Sequence, residues 1–397
     1  MYQKYPEIRI THAIESIALG GGAERLVMDL CKELKSRENI SIQLLVFKSP
    51  SYYGYANAGL WEKEIAKFLT PVICNCVVKF NIVGIPNNNI TEYVNQIKSF
   101  DPHIIHSHLL QPELITRAHL FKDVVYFTHL HDNLSLFEKK RLFKSTSRTD
   151  ISNFFIRKWL MNQYEKCNNY FISISNDTFN YLDENLPDKL HTNIISLPNA
   201  IDTKRFKNIS SKKIASKELE LRLVSIGSLV PKKNQVFLIE VVKELERIGY
   251  SVFLKLLGDG SERIIIEQEI KGLGLGEKVE LLGYTDDVEK ELEWANVYVH
   301  AATYEPFGLA LVEAMAAGLP VVALNGKGNK NLIESGKNGY LIEKNDPTVF
   351  AEKIVAIVAN QTLYVSMSEN AKDFAERYDI KNYVDRLLDI YKTALKL

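Results

Sequence analysis

The run Tyr304–Leu324, YEPFGLALVEAMAAGLPVVAL, sets two carboxylates, Glu305 and Glu313, eight positions apart around a glycine and small apolar residues. Pro306 suits the first position of a helix, where a missing N–H costs nothing, so the run predicts a helix starting there. The amides of Phe307, Gly308 and Leu309 would then stand unpaired at the positive end of that helix. Such an end attracts anions, and Gly308 would let a phosphate approach the backbone. Glu305 falls just before this helix and Glu313 about two turns in, on roughly the same side. A carboxylate accepts two hydrogen bonds, a geometry suited to the vicinal hydroxyls of a ribose. Sugar, phosphate and ribose could be read in that order. The same residues would equally suit an amphipathic helix with one capping acid and one surface acid.

Other stretches offer related chemistry. In GSLVPKKNQ, Gly227 allows a tight turn, and Lys232 and Lys233 stand where they could neutralise a diphosphate, or simply be solvated. In ALGGGAERLVMDL, Gly20 to Gly22 precede a helix and expose backbone to a phosphate or sugar. Neither G-x-G-x-x-G nor a P-loop is present, and no G-x-S-x-G nucleophile elbow. His106 and His108 in HIIHSHL, and His129 and His131 in FTHLHDN, close two strand-like runs. Alternating histidines in a strand point the same way, so a metal has to be weighed. No H-E-x-x-H spacing supports one, and a single histidine donating to a sugar hydroxyl or phosphate fits better, with His131 beside Asp132 the stronger candidate. His300, within NVYVHAA, is expected to be a satisfied core residue.

The elements that would position these groups alternate along the chain. IRITHAI, ISIQLLVF, PVICNCVVKF, HIIHSHL, VVYFTHL and NYFISIS have strand character, separated in several places by amphipathic stretches such as AERLVMDLCKELKSR. The polar stretch LPNAIDTKRFKNISSKKIASKELE breaks the pattern as a linker would, after which alternation restarts at LRLVSIGSL. From about Pro347 the chain has helical periodicity. Near-continuous apolar strands between helices predict parallel sheets covered on both faces. The expected fold is α/β: two doubly wound, Rossmann-like parallel-sheet domains facing a central cleft, with a helical tail. The expected divisions are 1–203, 204–375, and a C-terminal helix 376–397 packing back on the first domain.

Composition sets limits. The 397 residues exceed one ordinary core, and 46% hydrophobic with 25% charged residues describes a folded chain. Lys plus Arg equals Asp plus Glu at 49 each, which supplies no overall basic field for nucleic acid. Cys31, Cys74, Cys76 and Cys167 lack the paired spacing of a structural zinc site and suggest buried thiols in a reducing compartment. The N-terminus has no apolar h-region, and no apolar run is long enough to span a bilayer, so a cytoplasmic or peripheral location is expected. Basic and aromatic residues interleave from Phe137 to Lys166, as on a surface for anionic lipid headgroups or on a solvated helix packing its rings inward.

GGAERLVMDL, FISISNDT, LPNAID, GSLVPKKNQ, LGDGSER, LLGYTDDV and above all YEPFGLALVEAMAAGLPVVA resemble, in order, a retaining glycosyltransferase of family 4 with the GT-B fold. The last carries that family's E-x7-E signature. The resemblance implies that Glu305 holds donor-sugar hydroxyls, that Phe307, Gly308 and Leu309 bind sugar and diphosphate through their backbone, and that Glu313 takes the ribose. It implies that Lys233 stabilises the departing diphosphate, Gly283 and Tyr284 border the base, Gly21 and Gly22 approach the donor phosphate, and His131 meets the sugar. It further implies a UDP- or GDP-linked sugar donor, a glycan or lipid-linked glycan acceptor, and neither metal nor other cofactor. Bacterial surface polysaccharide synthesis is the expected setting. Ser228 stands where the family commonly has arginine five residues before Lys233, which reduces a bidentate clamp to a point charge unless Lys232 or a residue elsewhere substitutes. That departure also suits a partner-dependent, non-catalytic nucleotide-sugar-binding subunit.

Overall fold

The computed structural model describes residues 7–17, 21–48, 65–81, 85–139, 148–207, 209, 220–285 and 287–397. The chain forms two compact units, Met1–Pro198 with Tyr383–Leu397, and Asn199–Asn382.

The first unit is built on strands β1 (Ile8–Ile14), β2 (Ile40–Val46), β3 (Val72–Ile73), β6 (Ile104–His108), β7 (Val125–Leu130), β8 (Asn168–Ser173) and β9 (Ile194–Ser196). They lie in the order β3-β2-β1-β6-β7-β8-β9, and every pairing is parallel. Every residue of β6 and β7 is buried, as expected of strands covered on both faces. Helix α1 (Gly22–Lys35) turns Leu26, Val27, Leu30, Cys31 and Leu34 inward at helical spacing. Between β3 and β6 the expected single strand PVICNCVVKF is broken. Its first half pairs with β2, and Asn75 then donates its amide to Glu92 at 2.7 Å. Its second half, β4 (Val77–Phe80), pairs antiparallel with β5 (Pro86–Asn89), a polar strand that no apolar alternation signals. All four cysteines are free, and burial pushes the Cys31 and Cys74 thiols up to about 12.

Helices α2 (Thr91–Phe100), α3 (Leu110–Ala118), α4 (Arg148–Tyr164) and α5 (Asn176–Asn185) complete the alternation. Helix α3 carries a fully buried charge pair. Arg117 lies 3.1 Å from the Glu113 carboxylate, donates to Asn169 Oδ1 at 2.6 Å and to Thr128 Oγ1 at 3.1 Å, and covers the Tyr126 ring at 4.6 Å. Ser107 and Thr128 both donate to Glu113. In α4, Arg157 donates to the carbonyls of Phe137 and Asn185, and Trp159 packs against Phe80. These residues of the basic and aromatic stretch are therefore engaged internally, whereas Lys140, Arg141, Phe143 and Lys144 lie outside the described residues. No helix among the described residues is long and apolar enough to cross a membrane.

The second unit has strands β10 (Leu221–Ile226), β11 (Val252–Leu257), β12 (Val279–Gly283), β13 (Val297–His300), β14 (Val321–Leu324) and β15 (Gly339–Ile342). All are parallel, in the order β12-β11-β10-β13-β14-β15. Helices α6 (Gln235–Arg247), α7 (Arg263–Gly272), α8 (Val288–Trp294), α9 (Leu309–Ala316), α10 (Pro347–Val358) and α11 (Gln361–Ala375) follow in chain order. One apolar core joins β10, β11, α6 and α10 through Leu223, Leu254, Phe237, Val241, Phe350 and Ile354. Helix α12 (Ile380–Leu395) ends the chain, and its residues from Tyr383 belong to the first unit. There Tyr391 is fully buried, 2.5 Å from His106 Nδ1 and packed edge-on against Phe127.

Candidate active site

In an open parallel sheet, ligands bind beyond the carboxyl ends of the strands where the order reverses. In the second unit that reversal lies between β10 and β13. Lys233 follows β10 in the 3-10 turn Pro231–Lys233, and Glu305 follows β13 in a loop. Their side chains meet: Lys233 Nζ donates to Glu305 Oε2, and His300 Nε2 lies 3.0 Å from the same oxygen. The Lys233 stem runs past Gly227, 3.8 Å from where a Cβ on that glycine would stand. Glu305 is 7% exposed, and burial alone would push its carboxyl up. His300 and Lys233 outweigh that and hold it down at about 2, so it is ionised at any physiological pH. His300 is thus not the satisfied core residue expected from its strand but a partner of the site carboxylate.

The helix after Glu305 begins three residues later than expected. Pro306 lies in the loop, Gly308 caps the helix with φ 110°, and α9 starts at Leu309. The chain is bent this way because Glu305 donates its amide to Gly326 and pairs with Lys327 as an isolated bridge. Phe307 and Gly308 are buried residues whose amides meet no backbone acceptor among the described residues, and the amide of Leu309 has no carbonyl available within its own helix. Phe307 and Gly308 therefore stand in a turn rather than in the first helical turn expected of them. Gly308→Ala should be poorly tolerated: a Cβ there would stand 2.6 Å from Leu311 Cδ1 in a backbone conformation L-residues avoid. A loss of about 1–3 kcal/mol in urea unfolding is expected.

Glu313 is engaged from an unexpected direction. Arg205 stands in the 3-10 turn Thr203–Phe206, inside the stretch taken for a linker; it lies 3.7 Å from Glu313 and donates to Glu289 at 2.6 Å. Ser228 and Gly227 offer their carbonyls to Gln235 Nε2. Gly258 packs so closely on the Gly227 carbonyl that no side chain would fit, and its amide donates to Gly283 at 2.7 Å. Tyr284 reaches the Asp259 carbonyl at 3.4 Å. The loops after β10, β11 and β12 are therefore locked together backbone to backbone, which places Gly227, Ser228, Gly283 and Tyr284 in one neighbourhood. Beside Glu305, the Tyr304 ring lies under two ammonium groups, Lys232 at 5.6 Å and Lys327 at 6.0 Å.

Gly21, Gly22 and His131 belong to the first unit. Gly21 caps α1 and Gly22 opens it, while Gly20 lies outside the described residues. The Glu24 side chain folds back over Gly21, into space that a Cβ would need. On the sheet, β1, β6 and β7 are adjacent, so the two histidine pairs of neighbouring strands meet each other and His12. His131 Nε2 lies 3.0 Å from His108 Nδ1, and His108 Nε2 lies 3.1 Å from His12 Nδ1. Ring nitrogens of His12, His106 and His108, and of His108, His129 and His131, come within 4.8 Å of one another, as metal ligands would. The rings of His129 and His131, however, stack 4.2 Å apart with 4° between their planes. One ion cannot lie in both planes, so His129 and His131 cannot both ligate it through in-plane lone pairs.

Two family models match the chain in tandem, Glycosyltransferase Family 4 over residues 20–205 and Glycosyl transferases group 1 over residues 206–374. Together they run unbroken from residue 20 to residue 374. The chain is a family 4 glycosyltransferase. Its fold is GT-B, as in Anabaena HepE in complex with UDP-glucose, which it matches with a TM-score of 0.75 at 20% identity over 98% of this chain and 100% of that one. It is 24% identical to the UDP-Gal:alpha-D-GlcNAc-diphosphoundecaprenol alpha-1,3-galactosyltransferase of Escherichia coli over 98% of both chains. It is also 33% identical to the poly(ribitol-phosphate) alpha-N-acetylglucosaminyltransferase of Staphylococcus aureus, over 42% of this chain and 34% of that one.

The sequence of this glycosyltransferase singles out neither Arg205 nor Lys327, and it marks His300 only as a core residue. His300 alone left a signal, an ionisable residue at the carboxyl end of a strand at the switch point. Glu24, beside the Gly21 backbone, is a fourth charged group of interest. Burial raises its carboxyl to about 7, against a hydrogen bond to its own amide, with the Glu15 charge adding to the rise. A raised carboxyl binds its proton more tightly in the folded state, so its contribution to stability falls as pH rises from 4.5 towards 7 and is level above. The urea midpoint of Glu24→Gln should therefore gain on that of the parent glycosyltransferase across this window and stay ahead at pH 8. A pH-independent difference would contradict the assignment.

Proposed function

We propose that this glycosyltransferase moves a hexose or related sugar from a nucleotide-diphosphate sugar to a glycan or lipid-linked glycan acceptor, with retention of configuration and without a metal. The observation that carries the reading is Lys233 held against Glu305 beside the amides of Phe307 and Gly308, which meet no backbone acceptor among the described residues. A diphosphate placed there would draw Lys233 off Glu305 and accept from those amides, so the leaving group's negative charge develops against preorganised donors. Glu305, released, would take hydroxyls of the sugar. Glu313, steadied by Arg205, would take the ribose, and Gly283 with Tyr284 would border the base. Lys232 and Lys327 would share the charge that Ser228 leaves unmatched. Gly21 and Gly22 would approach the donor phosphate, and His131 the sugar. In a front-face displacement the departing phosphate takes the acceptor's proton, so no protein nucleophile is required.

The names of the relatives support a UDP-linked donor, the Escherichia coli enzyme acting on a diphosphoundecaprenol-linked acceptor, and bacterial surface polysaccharide synthesis is part of the proposal. Incubation with a panel of UDP- and GDP-sugars should show slow hydrolysis of one UDP-sugar and transfer from it to a polyprenol-linked glycan. Hydrolysis of none, with no thermal shift by UDP, would reject the reading. A lipid-linked acceptor would be met at the inner membrane face, so peripheral contact belongs to the proposal. Flotation with anionic vesicles at low salt tests it, and absence of binding removes it.

A further inference from the structure

The three histidines His12, His108 and His131 are joined end to end through ring nitrogens at 3.1 and 3.0 Å. A neutral imidazole has one N–H and one lone pair, so each ring in such a chain dictates the tautomer of the next. Neutrality is secured by burial first and by the neighbouring rings second. These hold His12 down at about 3, and His108 and His131 well below the usual histidine range. Only two arrangements remain. Either every ring donates towards His12, leaving His12 Nε2 with a hydrogen, or every ring donates towards His131, leaving His12 Nε2 with a lone pair.

The buried end decides between them. His12 is fully buried, and its Nε2 has no partner among the described residues. A buried N–H without a partner is rarer than a buried acceptor without one, so the lone pair belongs there. His12 then donates from Nδ1 to His108 Nε2, and His108 donates from Nδ1 to His131 Nε2. His131 must carry its own hydrogen on Nδ1, the nitrogen that takes no partner among the described residues. We propose that His12 and His108 form a hydrogen-bond relay that fixes His131 as the Nδ1–H tautomer, so that it meets the donor sugar only as a hydrogen-bond donor. The use of that hydrogen rests on the reading of His131 as a sugar contact, whereas the relay itself does not. His12 and His108 are positioning residues, acting through His131 at a distance from the substrate.

The consequence for specificity is chemical. His131 would require an acceptor oxygen on the sugar at its contact point, which a hydroxyl, a carboxylate or an acetamido carbonyl supplies and a deoxy position does not.

The test is a long-range proton–nitrogen correlation spectrum of the full chain labelled with ¹⁵N-histidine, assigned through single histidine replacements. In the unsubstituted protein, His12, His108 and His131 should all show a protonated Nδ1 and an unprotonated Nε2, with nitrogen–nitrogen couplings across both hydrogen bonds. His108→Ala opens space for water, which satisfies either tautomer, so the His131 signals should move to averaged positions and kcat/KM for sugar transfer should fall about three- to tenfold. A protonated Nε2 on His131 in the unsubstituted protein overturns the relay, as does an unchanged His131 tautomer in His108→Ala. If that variant does not fold, the spectrum of the unsubstituted protein decides alone. If the tautomers are as stated but His131→Ala transfers sugar at the original rate, the relay stands and the sugar-contact reading of His131 fails.

Discussion

Replacing Lys233 with alanine is expected to lower kcat for sugar transfer about a hundred- to a thousandfold, the range typical of removing one preorganised electrostatic contact to a developing anion. Lys233 lies in the turn after β10 at the switch point, and its ammonium group is already held in place by Glu305. The loss should fall on kcat more than on KM for the donor, because the diphosphate charge grows as the glycosidic bond breaks. Lys233→Arg should keep part of the activity, since the charge persists while the planar guanidinium cannot reproduce the point contact of the ammonium group with Glu305. Steady-state rates with the donor identified by the panel settle the matter: an alanine variant within threefold of the parent would remove Lys233 from the mechanism.

A comparable effect on stability is expected deep in the first unit. Arg117→Met should cost about 3–5 kcal/mol in urea unfolding, because it strands the Glu113 carboxylate in a fully buried setting with only hydroxyl partners. The double variant Glu113→Leu with Arg117→Met should recover much of that loss, since an apolar pair of similar volume carries no desolvation penalty. Equal destabilisation of single and double variants would show that shape, not charge, dominates there. Arg117 also covers the rings of Tyr126 and Tyr164, so some loss of packing will remain in either variant.

The order of strands and helices could be read from the chain because both sheets are buried on two faces, which forces apolar runs such as VVYFTHL and NVYVHAA into view. Lys233 and Glu305 could be singled out because each stands beside a glycine-bearing turn after a strand. Their direct contact could not, since it depends on β10 and β13 being neighbours, and local periodicity says nothing about which strands pair. The same holds for Arg205 and Glu313, which are distant in sequence and joined only by the packing of a short turn on α9. Pro306 misled because its fixed φ suits a helix start, while the left-handed Gly308 and the Gly326 carbonyl together impose a loop there. The break at Cys74–Cys76 was hidden by uniformly strand-like residues, because apolar character does not report a change of pairing partner.

The last fifteen residues, Tyr383 to Leu397, complete the first unit, while the second is a single uninterrupted span of chain. During synthesis the second unit can therefore finish folding first, whereas the N-terminal one must wait, with its His106 and Phe127 surface uncovered, until Tyr391 has left the ribosome. Removing the segment from Tyr391 onward would leave the amino-terminal core without the ring that covers His106 and Phe127.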